Sequence, residues 1–406
     1  MKLILAHRRL PVVFCLVFVV FAIGGSPVSA QESMGKPLVL AHYMPWYAAK
    51  PYSKAWGWHW TMNAFDLDKT TDGKPQIASH YRPLIGPYDS GDPAVLEYHL
   101  LLMKLAGIDG VIVDWYGLTD QFDYAELHRN TAALVKAAGK LGLQFAICYE
   151  DQTVPKLAAA KKLATGDRVK HVRGELDWLR KNWFAEPHYV RLGGKPLLLS
   201  FGFGGLTDKE WEEVLFGSTD HLVYVSEHRK RSAASGAFDW PIPKEYPEFL
   251  DRFENAAHDL KPAIPVAFPR FHDIYEQGKA GKSLGRIADD DGRTWTVTLA
   301  RAFKGKPAVV QLATWNDWGE GTGIEPTEEF GYRDLEAVQE FGRTHLDAKF
   351  PFQGGDLRLP HRLLQQRRKA NTVGQNVVLD EITQQIVKGN TRDAKSALDG
   401  LEEGRK

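Results

Sequence analysis

Eight times along this chain a short apolar run ends abruptly in polar residues, and helical sequence follows most of them. The runs fall at residues 38–47, 111–116, 145–150, 197–203, 222–227, 237–240, 265–271 and 309–315. Their β-branched, nearly continuous apolar character is that of strands buried on both faces, as in a parallel sheet covered by helices. Helical stretches are predicted over 92–105, 125–141, 169–184, 208–215, 246–260, 294–303 and 335–346. The first opens on Asp92-Pro93, a cap followed by proline at the first helical position. Residues 229–236 are too few for a full helix between the fifth and sixth strands. Eight strands alternating with helices predict an α/β chain folded as a (β/α)8 TIM barrel. A doubly wound open sheet is the alternative. It would place a glycine-rich phosphate turn after the first strand, and none is there; Gly202-Phe203-Gly204-Gly205 follows the fourth and reads as a bend.

A barrel of this kind carries its site at the C-terminal ends of the strands. Polar residues collect there: His42 and Tyr43, Asp114, Tyr149 to Asp151, Ser200, Glu227 with His228, Asp239 with Trp240, and Arg270 with His272. The densest stretch follows the eighth strand, AVVQLATWNDWGEGTGIEP from Ala308 to Pro326. A lone acid at a strand end is ordinarily a solvated loop residue. Here Asp317 and Glu320 are flanked by Trp315, Trp318 and three glycines. Indole faces pack on the C–H faces of sugar rings, and glycine lets the backbone approach a ligand closely. This combination points to a carbohydrate site with Asp317 and Glu320 as its acids. The first loop, residues 48–92, carries Trp56, Trp58, His59, Trp60, His80, Tyr81 and Tyr88. It reads either as an active-site loop or as a plug at the barrel bottom.

WNDWGEGTGIEP resembles the signature of glycoside hydrolase family 99, the endo-α-mannosidase and mannanase clan. Its N-D-aromatic-G-E portion is also similar to family 71, the α-1,3-glucanases. Asp317 stands where family 99 has Glu, and Gly319 where it usually has His. HYMPWY, GWHW, PLIGPYDSGDP and AGIDGVIVDWYG carry the same resemblance, which spans residues 37–346. It implies a glycoside hydrolase acting on α-linked oligo- or polysaccharides of α-mannan or α-glucan type, with paired carboxyl groups and no cofactor. Glu320 matches the general acid/base. Asp317 matches the acid that deprotonates the sugar 2-hydroxyl, giving a 1,2-anhydrosugar intermediate and net retention. The Asp side chain is shorter by one methylene, about 1.5 Å of reach. A direct nucleophile and a water-activating base are therefore also open for Asp317, and the anomeric outcome with them. Tyr43, Trp46, His59, Trp60, Asp114, Trp115, Glu227, Trp315 and Trp318 are the candidates for substrate contacts. Glu325 reads as a structural pin, accepting from backbone N–H groups.

Two non-catalytic readings remain: a carbohydrate-binding protein on a decayed barrel, and a scaffold acting through its C-terminal helices. The 51 basic and 51 acidic residues balance, which argues against nucleic acid or an anionic membrane as partner. His59 and His80 have no ligand-spaced companion, and neither H-E-x-x-H nor C-x-x-C occurs, so no metal site is expected. Nor is there a G-x-S-x-G nucleophile elbow. Residues 1–30 have the form of a signal peptide: Lys2, Arg8 and Arg9, an apolar stretch over 10–23, and Val28-Ser29-Ala30 before the cleavage point. Export to the periplasm or medium is expected, with no stable membrane span after cleavage. Removal takes Cys15 and leaves Cys148 as a small core residue, with no intramolecular disulfide. The mature chain is expected to be a monomer, with a catalytic barrel over 31–350 and a helical extension over 351–406. Gln353-Gly354-Gly355 reads as a linker to amphipathic helices over 359–370 and 377–401. Because the strand count closes before residue 352, the extension is expected to be dispensable for folding.

Overall fold

The strands form in the predicted order and close into a ring. In the computed structural model, residues 36–217 and 221–403 are described; the segment expected to be a signal peptide lies outside them. The barrel strands are β1 (Leu38–Tyr43), β2 (Gly110–Trp115), β3 (Gln144–Glu150), β4 (Lys195–Phe201), β5 (Val223–Glu227), β6 (Gly236–Phe238), β7 (Ala263–Ile264 and Val266–Ala267) and β8 (Val309–Leu312). All neighbours around the ring pair in parallel. The closing strand is β7. Its first half pairs with β6 (Ile264 beside Phe238), and its second half with β8 (Ala267 beside Leu312). Pro265 lies between the halves. It has no N–H to donate, but its carbonyl accepts from Gln311 at 3.0 Å, so the ladder continues past it. This is a (β/α)8 barrel.

Helices α1 (Pro93–Ala106), α2 (Tyr124–Leu141), α3 (Arg168–Asn182), α4 (Asp208–Leu215), α5 (Glu248–Ala256), α6 (Arg293–Ala302) and α7 (Arg333–His345) connect the strands. Side-chain caps open α1 and α4, the first as the sequence signals. The Asp92 carboxylate accepts from Ala94 N–H ahead of Pro93, and Gly107 ends α1 at φ 83°. Thr207 and Glu210 form a reciprocal capping box on α4.

The extension corrects the expectation of a dispensable tail. Its helices α8 (Leu359–Lys369), α9 (Val373–Val387) and α10 (Thr391–Glu403) bring Leu363, Leu364, Leu379, Ile382, Ile386 and Leu398 into the same core as the barrel. Helix α8 lies along α1. Glu97 of α1 takes both nitrogens of the Arg367 fork, at 2.9 and 3.0 Å, and the Thr383 hydroxyl at 2.7 Å. Residues 353–355 enter a 3-10 turn, Gly354–Arg358, whose Leu357 is fully buried. Val377 and Val378 stay exposed while Ile382 and Ile386 turn inward. Among the described residues no helix is long and apolar enough to cross a membrane.

Candidate active site

The loop after β8 is held rigidly to the end of β1. Asn316 Oδ1 accepts from Met44 N–H (2.8 Å), and its Nδ2 donates to Met44 O and Tyr88 Oη. Tyr47 donates its hydroxyl to Asn316 O and accepts from Trp318 N–H, both at 3.0 Å. Gly321 turns the loop at φ 67°, and a Cβ there would stand 2.7 Å from His272 O. Only glycine meets both demands.

This scaffold brings Asp317 and Glu320 to one cleft of about 160 Å³, walled by Met44, Trp46, Tyr116, Phe201, Trp240 and Tyr275. His42, Asp114 and Glu150 complete its lining. The two acids differ in their surroundings. Asp317 Oδ1 accepts the Glu320 N–H at 2.9 Å. Burial raises its carboxyl to about 6, while N–H groups of Glu320 and Gly319 hold it down. Glu320 Oε1 accepts the Tyr275 hydroxyl at 3.1 Å, and its Oε2 is occluded without a partner. Burial first, and the Asp317 charge second, push Glu320 well above the carboxylate range. Two carboxyl groups forced apart in this way divide the roles of anion and proton donor.

The opposite wall carries a second acidic pair. Burial, then the neighbouring Glu150, raise Asp114 well above its ordinary value; burial, then Asp151, raise Glu150 to about 8. His42 is neutral, since burial lowers it to about 4. Gln311 Nε2 donates to Asp239 O, which turns Oε1 toward His42 Nδ1 at 3.3 Å. Nδ1 therefore carries the proton, and the Nε2 lone pair is left without a partner. The cleft thus offers acceptors, carboxyl donors and aromatic faces, which suits a neutral polyhydroxy ligand.

Of the other sequence candidates, two line the cleft and the rest pack elsewhere. Trp46 and Asp114 line it. His59 stacks behind Trp46 at 4.3 Å and bonds Asp123. Tyr43 is fully buried, with its hydroxyl 2.9 Å from His99 Nδ1. Trp60 is buried against Tyr47 and donates to Tyr88 O. Trp318 donates to the Tyr88 hydroxyl, and Trp315 packs on His99. Trp115 faces the helical layer, against Trp178 and Trp183, and the adjacent Tyr116 takes the cleft position. Glu227 is buried at the end of β5, accepting from Gly202 N–H at 3.0 Å. Glu325 takes the Tyr88 hydroxyl (2.7 Å) and faces His99 (3.1 Å), so it pins side chains rather than the backbone N–H groups expected. Sequence reading places Glu150 among the polar strand ends without making it a site candidate, and it passes over Tyr275. The end-of-strand rule singles out the segment of Glu150; Tyr275 lies in a loop with no such signal.

Although no ligand-spaced motif occurs, three adjacent strands bring His42, Asp114 and Cys148 together, with ligand atoms within 4.8 Å of one another. Burial raises the Cys148 thiol well above its ordinary value.

Comparison with known proteins gives the same direction. No family model matches the chain. It is 24% identical over 283 residues to a glycoprotein endo-α-1,2-mannosidase-like protein of Danio rerio, covering 61% of this chain and 60% of that protein. The corresponding Homo sapiens protein is 23% identical over 281 residues, 61% of this chain and 58% of the relative. The chain therefore matches about three fifths of the length of these relatives. The GH99 endo-α-mannosidase from Bacteroides thetaiotaomicron superposes with a TM-score of 0.58 at 16% identity, covering 79% of this chain and 98% of that one. A solved glycoside hydrolase-like protein gives 0.52 at 14% identity, covering 78% and 96%. These two structures share the barrel fold.

Proposed function

We propose that this chain, a family 99-like protein, is an exported glycoside hydrolase that cleaves α-mannan-type glycans through Asp317 and Glu320. The observation that carries the reading is electrostatic. Both acids face one aromatic-walled cleft, and none of the described Lys or Arg side chains ion-pairs with either. Carboxyl groups left without a cation and raised to different extents are what acid–base chemistry needs. The mannosidase-like relatives support the α-mannan substrate, and the N-terminal segment supports export.

In this mechanism Glu320 holds its proton and delivers it to the departing glycosidic oxygen. Asp317, with the lower carboxyl, accepts the 2-hydroxyl proton as that oxygen closes on the anomeric carbon. Water then opens the 1,2-anhydro ring, with Glu320 taking the water proton and Asp317 returning its own. Tyr275 orients Glu320 through its hydroxyl. His42 Nε2 and the Asp114–Glu150 pair are placed to accept from and donate to ring hydroxyls. The test is product analysis on α-mannan and α-1,3-glucan, together with a 2-deoxy aryl mannoside. The reading requires cleavage of mannan with retention and no turnover of the 2-deoxy compound. Cleavage of that compound at a comparable rate would make Asp317 a nucleophile or a water-activating base, and no hydrolysis of either glycan would leave a binding protein.

A further inference from the structure

The cleft is small for its proposed substrate. About 160 Å³ lies below the roughly 300–1,000 Å³ of ordinary small-molecule pockets. Most of a glycan chain must therefore rest outside it. Two aromatic arms lead outward from the same wall. From Tyr116, ring contacts run to Tyr124 (5.1 Å) and on to Phe122 (5.7 Å). From Trp46, the stack on His59 continues to Trp58, whose ring meets His59 at 5.0 Å and 89°. His59 Nε2 and Asp123 Oδ2, 3.1 Å apart, tie the two arms together. At their ends Phe122 is 71% exposed and Trp58 43% exposed. Phe122 also sits at φ 54°, a left-handed conformation unfavourable for a bulky side chain. An exposed ring on an unfavourable backbone adds nothing to the core, so its place is better explained by what it touches.

We propose that Phe122 and Trp58 form an outer sugar-binding platform, continuous with the cleft, that grips the units of an α-linked glycan beyond those being cleaved. The inference rests on the cleft being a glycan site. It makes the protein a polymer-acting enzyme whose affinity grows with chain length.

The experiment compares wild type with Trp58→Ala and Phe122→Asn; asparagine tolerates the left-handed backbone while removing the ring. Native electrophoresis through gels containing α-mannan reads binding, and kcat/KM is measured on α-mannan and on an activated aryl α-mannoside. Each variant should lose retardation, with polymer affinity and kcat/KM falling about three- to tenfold, while the aryl substrate is turned over as in wild type. Unchanged retardation, a parallel fall on both substrates, or a wild type retarded by no mannan would each overturn the platform. Retardation that depends on Phe122, in a protein that hydrolyses nothing, would keep the platform and remove the catalytic reading.

Discussion

Two sets of carboxyl groups lie close to the loop after β8. Arg270, itself buried, bonds Asp289 at 3.0 Å and also Asp334, while Arg333 bonds both acids. The Phe330 ring covers the Arg270 guanidinium at 4.0 Å. The two arginines hold Asp289 below its ordinary value despite burial. In the cleft, Asp114, Glu150 and Asp317 are buried and Glu320 is partly buried; none is ion-paired with Arg or Lys among the described residues, Lys156 lowers Asp114 and Glu150 only through its charge, and all four are raised. Sequence shows acids in both places; the difference lies in whether a cation was folded into hydrogen-bonding contact with them. Paired acids hold the loop in place, and unpaired acids are left able to exchange protons.

The strongest way to break this contrast is at Glu320. Glu320→Gln should lower α-mannan hydrolysis about 10²–10⁴-fold with an unchanged melting curve. An activated aryl mannoside, which needs little acid help, should restore much of that loss. It should not rescue Asp317→Asn, which removes the base. Equal rescue of both variants would erase the division of roles.

The paired set should respond in stability instead. Arg270→Met leaves Asp334 and Asp289 short of a buried partner, a change typically worth about 3–5 kcal/mol. Tm should drop by about 5 °C, because a chain of this size loses about 1 °C or slightly more per kcal/mol. An unchanged Tm would mean that Arg333 alone suffices.

A smaller effect of opposite sign is expected at Glu150. Its folded value near 8 lies above the usual 4.5, so the folded state binds the extra proton, and stability falls as pH rises through that window. Glu150→Gln should therefore raise Tm by a few degrees at pH 8 and by almost nothing at pH 4. A gain that is the same at both values would show that the group is not raised. The acidic limb of the activity profile should fall near pH 6, where Asp317 protonates, with the alkaline limb set by Glu320 at a higher value. The smallest effect belongs to metal removal. Exhaustive EDTA, and Cys148→Ser, should leave turnover within about twofold. A loss restored by zinc would turn the cleft acids into ligands and end the comparison.

Much of this architecture was legible in the chain. Each strand begins within two residues of its apolar run, because a strand covered on both faces must be apolar nearly throughout. The first helix started at its Asp92-Pro93 cap, and the acids after β8 followed from where a parallel barrel leaves its strand ends open. The aromatic candidates were not legible in the same way. Trp115 and Tyr116 are adjacent and chemically alike, yet one enters the helical layer and the other the cleft, since successive strand side chains point to opposite faces. The register that settles this is a property of the closed sheet. Glu150 and Tyr275 reach Asp317 and Glu320 across 167 and 45 residues of sequence, respectively, a proximity that only barrel closure and the β7–β8 loops produce. The extension's apolar stripe was visible, but whether it covers the barrel depends on α1 presenting Glu97 to Arg367 and Thr383. Local pattern fixed which elements form, because it is set by nearest neighbours along the chain. Which charges stay unpaired was decided by the tertiary structure, because an acid's partner is whatever the fold brings within a few ångströms of it.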